Sequence, residues 1–190
     1  MAFPVFLTSH PLEQVITMAH TAFIVRVPEA EQAVSGLRER FDPSARLGVP
    51  AHITILYPFM SPDLISERVL AVIAQVLREV APFAVTLTEV KRFPSVVYLA
   101  PEPSAPLVQL TRSLVERFPD YPPFSGEHDA IIPHLTVAHG SAAEVDAAEA
   151  ELAGVLRSFG PIRSTCSSVA LLENSSGMWR QMHAFSLGER

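Results

Sequence analysis

The sequence has little cysteine and little positive charge. Among its 190 residues one is a cysteine, Cys166, and 14 are Lys or Arg against 20 Asp or Glu, which gives a formal net charge of −6. A single cysteine excludes an internal disulfide and is typical of a reducing compartment. An acidic surface repels long polyanions, because non-specific affinity for nucleic acids comes mainly from Lys and Arg. We therefore expect a cytoplasmic protein, and any phosphorylated ligand should be small.

Long hydrophobic segments are also missing. No apolar run reaches the roughly 18 residues that a membrane helix needs. The first residues, MAFPVFLTSHPLEQ, have neither the basic region nor the apolar region of a signal peptide. The patterns G-x-x-x-x-G-K-[ST] and G-x-G-x-x-G do not occur, so nothing indicates an ATP-driven ligase or a dinucleotide enzyme. The hydrophobic content of 48 % nevertheless indicates a folded globular protein.

The order of predicted elements indicates an α+β fold built from two similar halves. The first half alternates strand and helix patterns. In chain order we assign a strand to 21–28, a helix to 29–41, a strand to 52–59, a helix to 61–81, and two strands to 82–90 and 95–101, which KRFP (91–94) connects. Ser61 is the expected N-cap of the second helix, because Pro62 suits a first turn.

The second half repeats much of this order. We assign helices to 104–118, capped by Ser104, and to 141–159, a strand beginning at His134, and strands 161–173 and 178–187 joined across NSSG. Ser141 and Glu144 form a capping-box pattern. We predict one domain over 1–190 with two pseudo-symmetric lobes, approximately 21–100 and 101–190, between which elements can be exchanged. Each lobe should hold an antiparallel sheet flanked by helices, and the lobes should meet at a central cleft.

A His-x-Thr motif occurs once in each half, in PAHITILYPF (50–59) and in IPHLTVAHG (132–140). Residues two apart on a strand point to the same face, so His52 should project with Thr54, and His134 with Thr136. The composition gives about 0.3 such motifs by chance, and short motifs are loose. A strand histidine is often structural, and threonine is a good strand former. Two occurrences at matching places favour a functional role instead.

Two imidazoles and two hydroxyls that converge on one cleft would suit a phosphodiester. Histidines on opposite sides of phosphorus can activate a water and protonate the departing oxygen. Threonine hydroxyls can donate hydrogen bonds to the non-bridging oxygens, where charge accumulates in the transition state. The motifs therefore indicate acid–base chemistry at a phosphate, and this chemistry needs no metal.

The segments HITI and HLTV, with the element order around them, resemble the signature of the 2H phosphoesterase superfamily. VPAHITILYPF, FPSVVYLAPEP and IIPHLTVAHG are similar to its bacterial 2′-5′ RNA ligase-like family, and the resemblance covers most of the chain from Thr21 onward. It implies metal-independent opening of 2′,3′-cyclic phosphates of nucleotides or RNA ends, or reversible 2′-5′ linkage chemistry, without a cofactor. It also implies that His52 and His134 are the acid/base pair, and that Thr54 and Thr136 bind the phosphate. Which histidine is the acid stays open.

Aromatic and basic residues are candidates for substrate binding. Stacking of a base on an aromatic ring is worth about 1–3 kcal/mol. Tyr121 and Phe124 lie in a Pro/Gly-rich loop that leads into the second motif, and loops often carry binding residues. Phe93 is suggested by the family-like run KRFPSVVYL. Arg92 could bind a phosphate bidentately.

Other functions stay open. The substrate could be another diester, such as a cyclic dinucleotide or an ADP-ribose cyclic phosphate, or the protein could be a non-catalytic module that binds a nucleotide or RNA. A metal site is not expected, because EHDAIIPH (127–134) lacks a zinc spacing and Cys166 has no cysteine partner. We infer no membrane association and no obligate protein partner.

Overall fold

The computed structural model describes residues 19–127 and 130–188. Within these ranges the chain forms eight strands: β1 (Thr21–Arg26), β2 (His52–Phe59), β3 (Phe83–Phe93), β4 (Val96–Glu102), β5 (Leu135–His139), β6 (Ile162–Cys166), β7 (Ser168–Glu173) and β8 (Arg180–Ser186). The same ranges contain five α-helices: α1 (Pro28–Phe41), α2 (Pro43–Arg46), α3 (Glu67–Arg78), α4 (Ala105–Arg117) and α5 (Ala142–Phe159). None of these helices is long and apolar enough to cross a membrane.

The strands form two antiparallel sheets of four strands each, which confirms the predicted fold class. One sheet has the order β2-β1-β7-β8 and is called the His52 sheet below; the other has the order β5-β4-β3-β6 and is called the His134 sheet. Each sheet combines two strands from each half of the sequence. The strands β2 and β5, which carry the motifs, lie at one edge of their respective sheets.

The helices also cross between the two sheets. Helix α1 follows β1 of the His52 sheet but packs beside α5 on the His134 sheet, where it contacts β5 and β6. Helix α4 follows β4 of the His134 sheet but contacts β2 and α3 on the His52 sheet. This reciprocal exchange relates the halves by approximate twofold symmetry. It also places both motif strands next to each other, since β2 and β5 are in contact.

One continuous hydrophobic core lies between the sheets and their helices. On β1, Phe23 and Val25 are buried in this core, while Ile24 points to the other face of the sheet and packs with Val49 and Leu172. Strand β1 is thus covered on both faces, which explains its nearly continuous apolar sequence. The face of the His52 sheet on which Ile24 lies is the one that faces the cleft.

Several predicted boundaries differ from the structure by one or two residues, and β5 begins at Leu135 rather than at His134; the differences at α3 and β3 are larger. Helix α3 begins at Glu67 rather than near Ser61, because residues 62–64 form a separate 3₁₀ turn and the Ser66 side chain accepts a hydrogen bond from the Val69 amide. Strand β3 continues through the segment predicted as a connection and ends at Phe93. The charged residues of this segment, Lys91 and Arg92, are both exposed, so the strand can extend through them without burying a charge.

The predicted strand 161–173 is wrong as a single strand. It divides at Ser167 into β6, which pairs with β3 of the His134 sheet, and β7, which pairs with β1 and β8 of the His52 sheet. The Ser167 carbonyl accepts a hydrogen bond from the Leu187 amide, which fixes the crossing point. The capping box of Ser141 and Glu144 is confirmed.

Candidate active site

The first motif lies on the cleft face of the His52 sheet. Ile53 and Ile55 are buried in the core, so the alternating residues His52 and Thr54 project to the opposite face and are partly exposed. In the antiparallel register His52 is opposite Arg26 on β1, and Thr54 is opposite Ile24. Directly opposed residues share a face, so Arg26 belongs to the same surface as His52.

The second motif repeats this arrangement on the His134 sheet. Leu135 and Val137 are fully buried, whereas Thr136 and His134, the residue directly before β5, are partly exposed. Thr136 is opposite Tyr98 of β4. The period-two prediction for both motifs therefore agrees with the observed burial.

The two motifs meet between the sheets. Thr54 of the first motif and His134 of the second line one small cavity of about 30 Å³, together with Phe124 from the intervening loop. Burial is the main cause of the lowered pKa of His52, and a positive charge on His134 adds a small effect in the same direction. Thr54 and His134, 80 positions apart in the sequence, thus lie at one cavity.

The two imidazoles are oriented in the same way. His52 Nδ1 lies 2.8 Å from the Pro50 carbonyl oxygen, and His134 Nδ1 lies 2.7 Å from the Ile132 carbonyl oxygen, two residues before the histidine in each case. A carbonyl can only accept, so each Nδ1 carries the proton. In the neutral ring Nε2 then holds the lone pair, which is the form that a general base requires.

A buried ion pair supports the carbonyl that orients His52. Arg38 is 2 % exposed, and its Nη2 donates to Asp42 Oδ2 at 2.9 Å and to the Val49 carbonyl at 3.1 Å. These bonds tie the loop between α1 and β2 to the helix, immediately before Pro50. On the other side of Pro50, the Ala51 amide donates to Glu31 Oε1 at 2.6 Å. The backbone on both sides of the Pro50 carbonyl is therefore held.

Burial changes the protonation of both histidines. It lowers the pKa of His52 to about 4, and the nearby positive charge of Arg38 adds to this effect against the opposing hydrogen bond from the ring to Pro50. Burial also lowers the pKa of His134 from its ordinary value of 6.5, against the opposing hydrogen bond from the ring to Ile132. Both rings are thus neutral at pH 7 in the free protein.

Among the residues that the structure describes, aromatic rings contact His134 but not His52. The Phe93 and Tyr98 rings stack with centroids 4.5 Å apart, and each centroid lies 5.3 Å from that of His134. Phe93 was predicted from the sequence, whereas Tyr98 was not singled out. Its position opposite Thr136 depends on the strand register, which the sequence does not specify.

The other predicted binding residues lie in different surroundings. Phe124 is 38 % exposed and lines the cavity between the motifs. The Tyr121 ring packs against Phe59, with centroids 4.9 Å apart, at the edge of the core. Arg92 Nη1 lies 3.0 Å from a carboxylate oxygen of each of two α5 residues, Asp146 and Glu149. The structure therefore brings Phe93 and Phe124 to the motifs and directs Arg92 to a helix.

Sequence reasoning did not identify Arg26 or Arg38. Arg38 lies on an amphipathic helix, where an arginine is expected on the polar face, and its only signal was the i,i+4 spacing to Asp42. Arg26 could have been found only from the pairing of β1 with β2. His128, in the run considered for zinc, lies outside the described residues, and within them no three His, Cys, Asp or Glu side chains are grouped so as to hold a metal.

Comparison with known families agrees with the geometry. The model of the 2′-5′ RNA ligase superfamily matches residues 27–177, a range that includes both motifs. A Bacillus cereus protein named as a phosphoesterase is 29 % identical over 165 residues, which cover 84 % of this chain and 91 % of that protein.

Solved structures share the same fold. LigT of E. coli in complex with 3′-AMP aligns with a TM-score of 0.60 and 15 % identity over 90 % of this chain and 98 % of that chain. The protein TT0787 of Thermus thermophilus aligns with a TM-score of 0.57 and 20 % identity over 90 % of this chain and all of that chain. At these identities the likeness establishes the two-sheet architecture.

Proposed function

The chain belongs to the 2′-5′ RNA ligase superfamily and is a phosphoesterase of that fold, and on this premise we propose that it opens 2′,3′-cyclic phosphates of nucleotides or RNA ends without a metal. The observation that carries the proposal is the meeting of Thr54 and His134, one residue from each motif, at a single cavity. An acid–base pair and two hydroxyl donors around one gap match the needs of a phosphodiester.

In the hydrolytic direction, we assign the base to His52 and the acid to His134. His52 Nε2 takes a proton from water, whose oxygen attacks phosphorus, and the bond from phosphorus to the 3′ oxygen breaks. His134, in the form that is also protonated at Nε2, gives that proton to this oxygen, and the product is a 2′-phosphate. The assignment is supported by the pKa of His52, lowered to about 4, which keeps its lone pair available and leaves His134 as the acid.

Thr54 and Thr136 are proposed to donate hydrogen bonds to the non-bridging oxygens. Each hydroxyl lies on the same strand face as its histidine, so both can reach a phosphate between the rings. Phe93, Tyr98 and Phe124 form the wall against which we place the nucleoside. We leave Arg92 out of the site because it is paired with two carboxylates of α5.

A panel of substrates followed by phosphorus NMR tests the proposal. Nucleoside 2′,3′-cyclic phosphates should give 2′-phosphates, and added chelator should leave the rate unchanged. The doubly substituted variant His52→Ala/His134→Ala, purified in the same way, controls for contaminating hydrolases. Cleavage only of a cyclic dinucleotide or of ADP-ribose cyclic phosphate would replace the proposed substrate class. Tight nucleotide binding without any turnover would favour a binding module.

A further inference from the structure

A cavity beside His52 carries positive charge that the proposed acid–base chemistry does not use. Its volume is about 450 Å³, and its lining includes Arg26, Pro50, Trp179 and Gln181. Pro50 supplies the carbonyl that orients His52, and Arg26 is the cross-strand neighbour of His52. The cavity therefore lies next to the segment that leads into the first motif, and it is large enough for part of a nucleotide.

The cavity wall is built from two separate parts of the chain. The Trp179 amide donates to the Leu47 carbonyl at 2.8 Å, which ties the segment before β8 to the loop before β2. Gly48 allows this close approach, because a Cβ there would lie 3.1 Å from the Trp179 carbonyl oxygen and its φ is +90°. The shape of the cavity is thus fixed by backbone contacts.

Within the described part of the chain, Arg26 is the cation of this cavity that has no charged partner. Arg180, which also lines it, is paired with the buried carboxylate of Glu173. Across residues 19–127 and 130–188, no carboxylate is at ion-pair distance from Arg26, and its Nη1 has only a contact of 3.5 Å with Gln181 Oε1. A guanidinium in this state is available to an anion.

The corresponding cavity beside His134 has the opposite charge. It measures about 330 Å³ and is lined by Glu89, Lys91 and Glu102, and Lys91 Nζ is neutralised by Glu89 Oε2 at 2.9 Å. An anion that extends from the central phosphate is therefore attracted toward Arg26 and repelled on the other side. In a chain of net charge −6, this difference in charge between the two cavities favours one orientation of an anionic ligand in the cleft.

We propose that Arg26 and the cavity beside His52 form a subsite for a second phosphate of the substrate. The inference rests on the proposed function and narrows it: the favoured substrates are 2′,3′-cyclic phosphates that carry a further phosphate one sugar away. That phosphate can be a free 5′-phosphate or the last phosphodiester of an RNA end, and the chemistry that Arg26 recognises is the same in both.

Kinetics on three substrates tests the subsite: adenosine 2′,3′-cyclic phosphate, its 5′-phosphorylated form, and the dinucleotide ApA with a terminal cyclic phosphate. The wild-type kcat/KM should be about tenfold higher for a substrate with a second phosphate, as expected for a charge-assisted contact. In Arg26→Gln, the ratio of kcat/KM with the second phosphate to kcat/KM without it should be close to one. Lys91→Gln, the matched change in the other cavity, should keep the wild-type ratio. Preference for the 5′-phosphate identifies a free nucleotide, and preference for the dinucleotide alone identifies an RNA end. A wild-type ratio of one, or a ratio unaffected by Arg26→Gln, overturns the inference.

Calorimetry keeps the test independent of turnover. Adenosine 2′,5′-bisphosphate should bind the wild-type protein about tenfold more tightly than adenosine 2′-phosphate, and Arg26→Gln should lose this difference. If no cyclic phosphate is cleaved, the proposed function fails, and the binding difference still decides whether the subsite exists. Equal affinity of the wild-type protein for both ligands would show that Arg26 does not bind a second phosphate.

Discussion

The Nδ1 atoms of His52 and His134 each contact the carbonyl oxygen of the residue two positions earlier, but the surroundings of these two carbonyls differ. Behind Pro50 lies the buried ion pair of Arg38 and Asp42, whereas Ile132 belongs to the loop before β5 and is half exposed. His52 is flanked by a cationic cavity, and His134 by aromatic rings. The fold thus repeats the placement of the motif histidine on each sheet and surrounds the two copies differently.

The largest expected effect is the loss of either histidine. His52→Ala and His134→Ala should each lower kcat by about 10²–10⁴-fold, the range for a general acid or base. In the wild-type protein kcat/KM should fall on the acidic side as the pH approaches about 4, because His52 becomes protonated and can no longer accept a proton. It should also fall as the pH rises through the lowered pKa of His134, below 6.5, because the proton that His134 donates is lost.

The residual activity of the two variants separates their roles. The acidic limb should be missing in His52→Ala, and the alkaline limb should be missing in His134→Ala. Measurement of kcat/KM from about pH 3.5 to 9 on one cyclic phosphate checks this. Interchanged limbs would reverse the acid and base assignment, and two unchanged profiles would contradict acid–base catalysis by these residues.

The second prediction concerns the support behind Pro50. Arg38→Met leaves the Asp42 carboxylate buried without its partner, which should lower the free energy of unfolding by about 3–5 kcal/mol. Arg40→Met, the same change two residues later on α1, breaks an exposed pair with Glu151 and should cost within about 1 kcal/mol. Urea unfolding measures both values. Equal losses of unfolding free energy in the two variants would show that the ion pair behind Pro50 supports the first motif no more than an exposed ion pair does.

The third prediction compares the two threonines. Thr54→Val and Thr136→Val keep the branched shape but remove the donor, and each should lower kcat by about 10²-fold if both hydroxyls bind the transition state. Thr165→Val, at an exposed position of β6, is the control. Because the motifs are related by pseudo-symmetry, the two losses should be similar. A loss confined to one variant would mean that the phosphate lies against a single sheet.

The sequence predicted those parts of the site that depend on local periodicity. Period two placed each histidine on the same face as its threonine, and Ser141 predicted the start of α5. The pairing of distant strands could not be predicted from local patterns. The segment that contains β6 and β7, for example, has one continuous strand pattern, but its two parts belong to different sheets. Arg26 and Tyr98 join the site only through this pairing. Arg38 was missed for a different reason, because it is a charged residue in the core.

The smallest expected effect concerns the aromatic side of the cleft. Phe93→Leu removes a ring beside His134, and loss of one stacked base, worth about 1–3 kcal/mol, should raise KM about tenfold with little change in kcat. Tyr121→Leu is the matched change, and because its ring packs on Phe59 it should lower the unfolding midpoint instead. If Phe93→Leu lowers kcat and leaves KM unchanged, the ring orients His134 and does not bind the nucleobase. Steady-state kinetics with urea unfolding of both variants therefore decides whether the aromatic surroundings of His134 select the substrate or support the acid.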